Sequence, residues 1–368
     1  MGDPPSRRVE SSGVFPARLA EKGFGFRAKE ALLLAGVLAV VLTALPMPGA
    51  AGQAVIFPDK NLEATVRQAV GKPDGEIRES DLASLTRLDA AGKGITNLSG
   101  LEHCVALVEL YLHRNQIVDL APLAGLTKLN FLGLYGNLIV DVTPLAGLTK
   151  LNVLNLFDNL IVDITPLAGL TNLSELIIST NLAADITPLA GLMHLSQLWL
   201  TGNKIADLSP LRELVNLNIL GLESNQIVDI APVAGLRGLS HLDLGSNQVV
   251  DITPLTGLTN LNNLYLSRNR VSDISPLAGL TNLNRLHLGS NRVSDISSLV
   301  TNLGLSAEDE VDLGGNPLSE TSISTYIPQL QARGVVILAS LPPAAGVLVL
   351  GIFLFAGRGL FRDTSTSM

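Results

Sequence analysis

The chain has 368 residues, 47% of them hydrophobic but only 4% aromatic, with 25 basic and 33 acidic side chains for a formal net charge of −8. A single cysteine excludes an internal disulfide framework, and the acidic balance excludes the electrostatic footprint of a nucleic-acid binder. There is no HExxH, GxSxG, P-loop or cysteine cluster, so the chain does not read as an enzyme, and neither a cofactor nor a metal is expected.

Residues 1–30 hold Arg7, Arg8, Arg18, Lys22, Arg27 and Lys29 and lead into an apolar run from Ala31 to Leu45. That run is about 15 residues, short of the roughly 20 that cross a bilayer. Small residues then offer cleavage after Ala51 or Ala54. Residues 1–54 are therefore predicted as a secretory signal peptide with a long basic region, a length that also fits a start codon placed too early.

Residues 55–84 are predicted as a helical N-terminal cap. Asp59 is placed as N-cap, with Leu62, Val66 and Ala69 on one helical face, and Ser80 opens a second short helix.

From Leu85 to Asn316 the chain repeats itself, and residues 85–316 are predicted as one repeat domain. An asparagine recurs at Asn115, Asn137, Asn159, Asn181, Asn203, Asn225, Asn247, Asn269 and Asn291, always 22 residues apart. Within the unit, Leu107, Leu110, Leu112, Ile117, Leu120, Leu123 and Leu126 fit neither one amphipathic helix nor one alternating strand, so each unit must be a composite coil. The stretch around Leu110 and Leu112 alternates as a short strand, and stacked coils would place such strands in a parallel sheet. Asn115 falls at the corner after the strand, where its amide can pair with backbone groups turned inward. Thr or Ser before proline, as at Thr143-Pro144, reads as a helix N-cap. Gly147, three residues after the proline, keeps that helical piece short. Cys104 occupies the position of Leu126 and is predicted as a small buried hydrophobe.

At these residues the sequence resembles the internalin-type leucine-rich repeat proteins, whose unit looks like LxxLxLxxNxIxDIxPLxxLTN. The resemblance departs from the pattern at the first unit, where Lys93 replaces the asparagine, and at the last, where Asn316 follows Asn291 by 25 residues. It implies an α/β solenoid, a right-handed leucine-rich repeat superhelix. Its concave face would be a parallel β-sheet, with short helical or 3-10 turns on the convex side and caps at both ends, and its use would be binding.

The aspartates Asp119 to Asp295 recur with the same period. They read either as a calcium ladder or as Asx turns in which each carboxylate accepts N–H bonds of its own coil. A column present in every unit is what folding demands of every unit, which favours the second.

Residues 317–341 are predicted as a C-terminal cap, with a helix near Ile323 to Ala332 and a strand at Val335 to Ala339. Residues 342–368 carry an apolar stretch from Ala344 to Gly357, then Arg358 and Arg362. This tail resembles the C-terminal sorting signals of surface proteins, and it reads as either a cleaved signal or a retained membrane anchor with the repeats outside the cell. Eight of the 25 basic and five of the 33 acidic residues lie in the two flanks, leaving 17 and 28 between residues 55 and 341, a balance of −11.

Shared positions in a solenoid are explained by stacking, so function is sought where the units differ. Tyr111, Phe131, Tyr135, Phe157, Trp199 and Tyr265 fall on outward strand positions, with Ile177 on the same face and Leu138, Leu160 and Leu182 beside them. The first five rings form a run of about 19 Å along the sheet, four strand spacings. Such surface marks a partner site, with Trp and Tyr as anchors; the bland alternative is rings that cover the core edge or contact one another. Beyond them the face turns polar at Glu223, His241 and Asp243 and then basic at Arg268, Arg270, Arg285 and Arg292, the arginines suited to an acidic group on the partner or to a solvated surface. The five histidines lie in different repeats, with no metal pair expected. The sequence thus predicts an exported, monomeric, cell-surface module that recognises a protein or glycan through its concave face. The alternative is an envelope or matrix component acting by self-association.

Overall fold

The computed structural model describes residues 52–339; the segments predicted as signal peptide and as sorting signal or anchor lie outside them, apart from the last residues of the leader. Among the described residues no helix is long and apolar enough to cross a membrane.

Each 22-residue unit makes one coil: a three-residue strand, a corner, an extended return and a single 3-10 turn. The strands are β1 (Arg87–Asp89), β2 (Glu109–Tyr111), β3 (Phe131–Gly133), β4 (Val153–Asn155), β5 (Glu175–Ile177), β6 (Gln197–Trp199), β7 (Ile219–Gly221), β8 (His241–Asp243), β9 (Asn263–Tyr265), β10 (Arg285–His287), β11 (Glu310–Asp312) and β12 (Val336–Leu338). They lie in chain order in one parallel sheet of 12 strands, the leucine-rich repeat solenoid that the spacing predicts. The register advances by 22 residues from Leu88↔Leu110 to Leu264↔Leu286. It then advances by 25 at Leu286↔Val311 and 26 at Val311↔Ile337. The central residue of each strand from β1 to β11 points inward, and Leu107, Leu110, Leu112, Ile117, Leu120, Leu123 and Leu126 are all at most 1% exposed. Cys104 joins this core, where burial pushes its thiol up to about 12 and leaves it inert.

The asparagines staple coil to coil. Asn181 Oδ1 accepts the N–H of Ile161 at 2.9 Å, while its Nδ2 donates to the carbonyls of Leu156 (2.9 Å), Ile178 (3.0 Å) and Ser179 (3.2 Å). Ile161 and Leu156 belong to the preceding coil, so one amide serves two coils and leaves none of these buried backbone groups orphaned. The same pattern runs from Asn115 to Asn316. Lys93, exposed at the degenerate position, gives its own N–H to Asn115 Oδ1 at 3.0 Å.

The return turns differ from the expected capping. Thr143 is the first residue of its 3-10 turn and not its cap; Val142 stands at the cap position without a side-chain bond. Asp141 does the capping, its Oδ1 accepting the Thr143 N–H at 2.8 Å. A carboxylate two residues upstream reaches that N–H better than a hydroxyl whose own residue already has helical geometry. All nine column aspartates act this way, from Asp119 on Ala121 to Asp295 on Ser297. Bonds from the threonine hydroxyl and backbone N–H hold Asp141, Asp163, Asp185 and Asp251 below the ordinary carboxylate range. At Asp207 and Asp273 the backbone N–H leads and the serine hydroxyl follows. Lowered carboxylates contribute stability that is present at neutral pH and lost as pH falls through their folded-state values, below about 4. Thermal melts between pH 7 and pH 2 should therefore show a midpoint that drops steeply only under about pH 4. In an Asp163→Ala, Asp185→Ala variant, the deficit at pH 7 should shrink at the acid end, where the protonated carboxyls keep only their neutral hydrogen bonds.

Asp59 fastens the helical segment that precedes the first coil to that coil. Its Oδ1 accepts the N–H groups of Asn61 and Leu62, which opens α1 (Lys60–Val70). Its Oδ2 accepts those of Thr96 (2.8 Å) and Asn97 (3.3 Å) in the first coil. Burial pushes this carboxyl up, but the four N–H bonds together hold it below its usual range. Leu62 and Val66 face inward as expected; Thr65, not Ala69, completes that face. The Thr65 hydroxyl donates to Asn61 O at 2.7 Å, so its burial leaves no polar group unmet. Ser80 lies inside α2 (Glu79–Leu82) and is not its cap; Asp81 instead accepts the Arg78 N–H at 2.7 Å.

At the other end, α3 (Ser297–Thr301) replaces the 3-10 turn of the last regular coil. A π-helical turn at Ser322–Tyr326 runs into α4 (Ile327–Ala332), which β12 follows. The Arg333 guanidinium donates to the carbonyls of Val300, Asn302 and Leu305 and so closes the array with backbone acceptors.

Candidate functional site

The outer face of the sheet carries the side chains on either side of each buried central residue. Tyr111, Phe131, Ile177, Trp199 and Tyr265 stand on β2, β3, β5, β6 and β9, all half-buried. Tyr135 and Phe157 lie two residues past the ends of β3 and β4, not on strands. They stay on the face because the ladder continues past the strands: Arg114 N–H donates to Tyr135 O at 2.8 Å and Gly136 N–H to Phe157 O at 2.9 Å.

Along the face from Tyr111 to Tyr265, two sets of ring contacts stand out. In the first, Tyr111 and Phe131 meet at 4.6 Å between centroids, and His113 stacks on Tyr135 at 4.3 Å and 11°. Arg87 and Arg114 lie over the Tyr111 and Tyr135 rings, and Arg87 is paired with Glu109. In the second, Trp199 reaches His241 at 5.6 Å, His241 meets Tyr265 at 5.3 Å, and Tyr265 meets His287 edge-on at 4.8 Å. Trp199 belongs to the second group because Gly221, its partner in register on β7, has no side chain. A Cβ there would stand 2.5 Å from Trp199 Cε3, so the indole occupies that space.

Leu138, Leu160 and Leu182 are exposed at 48%, 45% and 38%, but they do not share the strand face. They follow the coil corners, where Asp158 and Thr180 adopt φ of 56°, and their N–H groups bond to Ile117, Ile139 and Ile161 in a ladder of the coil's flank. With Val118, Val140 and Val162 they form an apolar flank beside the first ring group.

At the far end Arg285 opens β10, while Arg268 sits at a coil corner with φ 58°. Both are exposed, as are Arg270 and Arg292, and among the described residues no carboxylate lies within ion-pair distance of any of the four.

Between Trp199 and these arginines lie two carboxylates. Asp243 Oδ1 and Glu223 Cγ stand 3.2 and 3.4 Å from the point where a Cβ on Gly245 would be, so the two side chains converge over that glycine. Burial pushes the Asp243 carboxyl up to about 6, against the Gly245 N–H bond that lowers it; the Glu223 charge raises it further and the His287 charge lowers it. Burial pushes the neighbouring His241 down. His287 Nε2 lies 2.8 Å from Glu310 Oε1.

The sequence places His241 on the polar part of this face, but it does not reveal that His113, His241 and His287 meet the rings; their place in the outward columns was the signal. Sequence reasoning also missed Gly221 and Gly245, which act through the side chain they lack. Among the described residues no group of His, Cys, Asp or Glu is arranged to hold a metal ion.

A family described as Leucine Rich repeats (2 copies) matches residues 105–147 and 259–301. The fold is similar to the crystal structure of an internalin (inlF) from Listeria monocytogenes, with 33% identity and a TM-score of 0.67, covering 77% of this chain and 90% of that one. An internalin C2 (inlC2) from the same species is 40% identical with a TM-score of 0.56, over 58% of this chain and 95% of that one. The functional domain of InlJ from Listeria monocytogenes matches at 25% identity and a TM-score of 0.58, over 78% and 71%. That domain includes a cysteine ladder, whereas the ladder here is of asparagine. No curated protein sequence matches. With one unbroken parallel sheet, the asparagine period and this coverage of inlF, the chain belongs to the internalin family of leucine-rich repeat proteins.

Proposed function

We propose that this is an exported, non-enzymatic binding protein that captures a protein or glycan partner on the outer face of its sheet. The segment 342–368 serves as its membrane anchor or sorting signal. The observation that carries the reading is the pair of ring groups. They sit half-exposed on a sheet whose backbone is already fixed, so binding orders little new structure. Tyr and Trp held this way supply apolar area with few rotamers to freeze. Arg268 and Arg285 are proposed to orient the partner, since a cation without an internal partner is available to an external one.

The second reading, self-association within an envelope or matrix, is favoured by the apolar flank of Val118, Leu138, Val140, Leu160, Val162 and Leu182.

The test is binding of the purified full chain to a surface-protein and glycan array, beside a Tyr135→Ala, Trp199→Ala variant shown by circular dichroism to be folded. The proposal expects ligands bound by the wild type and weakened at least about tenfold in the variant. Equal binding by both, or no ligand together with concentration-dependent assembly in sedimentation, favours the second reading.

A further inference from the structure

The second ring group holds a charge pattern that the aromatic reading leaves unused. Glu223 and Asp243 converge over Gly245 with no cation within ion-pair distance among the described residues. Among those residues the one hydrogen bond to either carboxylate comes from the Gly245 N–H, which donates to Asp243 Oδ1 at 2.9 Å. The one cationic group that acts on Asp243 is His287, which is already engaged with Glu310 at 2.8 Å, and a half-buried carboxylate beside a second one is an arrangement that folding does not reward. It resembles the cost a site bears for an absent partner. Trp199 lies two strands before Asp243 and Tyr265 one strand after it, while His241 shares β8 with Asp243. Carboxylates flanked by aromatic faces suit a guanidinium or ammonium group, which is attracted by both.

The arginines complete the pattern. From β8, which carries Asp243, to β10, which carries Arg285, is two strand spacings, about 10 Å. The face therefore reads acidic and then basic along the solenoid axis, within the span of about three residues of extended chain.

We propose that the face from β6 to β10 docks an extended segment of a protein partner, with a Lys or Arg side chain of that segment seated between Glu223 and Asp243 and an Asp or Glu about three residues away meeting Arg268 and Arg285. The inference rests on the binding-face reading and deepens it by choosing a polypeptide of defined charge order over a glycan.

The probe is a phage-displayed library of random linear peptides, selected at pH 7.5 on the immobilised full chain. Three variants run in parallel: Glu223→Gln with Asp243→Asn, Arg268→Gln with Arg285→Gln, and Tyr135→Ala with Trp199→Ala. The amides of the first variant keep the side-chain volumes, and the amide oxygen introduced by Asp243→Asn would still accept the Gly245 N–H, so that variant should melt at or above the wild-type temperature. The wild type is expected to enrich peptides with a basic and an acidic residue about three positions apart. The first variant should lose the basic preference and the second the acidic one, each by about tenfold in affinity of the selected peptides.

Peptides that need Trp199 and Tyr135 but carry no charge signature, or whose basic residue is kept by the Glu223→Gln, Asp243→Asn variant, overturn this inference and leave the binding face intact. Enrichment indifferent to all three variants, or no enrichment, overturns the inference; with a glycan bound on the array it leaves the binding face standing, and without one it removes both.

Discussion

Asn181→Ala should cost about 3–5 kcal/mol of stability and break the cooperativity of unfolding. The amide at 6% exposure meets the Ile161 N–H and the carbonyls of Leu156, Ile178 and Ser179. An alanine leaves those backbone groups in a cavity closed to water, each unmet group costing roughly 1–3 kcal/mol. The damage also sits between coils. Because a solenoid coil contacts only its neighbours, a weakened junction near the middle divides the array into two shorter cooperative units, and each buries less surface when it folds. Urea unfolding followed by circular dichroism should show a lower midpoint and a reduced m-value, since m follows the surface exposed in the transition. Asn316→Ala, at the looser end where the side chain is half-buried, should cost less. A loss under about 1 kcal/mol at Asn181 would mean that water or a shifted backbone meets these groups and that the ladder is not what joins the coils.

Gly221→Val should separate folding from binding. Its Cβ would fall 2.5 Å from Trp199 Cε3 and 3.4 Å from Thr201 Oγ1, so the indole must swing off the sheet. Backbone φ at Gly221 is not in the left-handed region, and a β-branched residue suits a strand better than glycine does, so stability should change by less than about 1 kcal/mol. Trp199 is the only tryptophan in the chain, which makes its fluorescence a clean reporter. Emission should shift to the red as the ring loses its seat, and affinity for a captured partner should fall about tenfold or more although no ring has been removed. An unchanged spectrum would show that the indole does not occupy the space over Gly221.

Most of the fold was legible because a 22-residue period states every structural demand once per coil. Leu110, Asn115 and Asp119 could be placed inward, at the corner and in the turn from spacing and chemistry alone, and the structure puts them there. What spacing cannot carry is competition between neighbours within a unit. Thr143 and Asp141 both suit a cap, and geometry decides for the aspartate. Thr65 and Ala69 both suit a helical face, and a hydroxyl bonded to its own helix lets the threonine go inside. The candidate site was legible in its residues but not in its grouping. Tyr111, Phe131, Tyr135, Trp199 and Tyr265 lie on the expected face, yet which rings meet depends on small residues at 133 and 221 and on histidines whose ring chemistry was not weighed. In sequence Leu138, Leu160 and Leu182 cannot be told apart from the ring face, because the corner that separates them occupies only one residue of positive φ.

Partners are proposed to bind on the outer face of the sheet. Hydroxyl-radical footprinting of the full chain, with and without its strongest array ligand, tests it directly. Protection is expected at Trp199, Tyr265 and His241, with Tyr111 and Tyr135 joining for a larger partner, while Met193 on the 3-10 side, 45% exposed, stays reactive. Protection of Met193 or of Leu138, Leu160 and Leu182, with the rings unchanged, would place the partner elsewhere on the coil and rule out the sheet face.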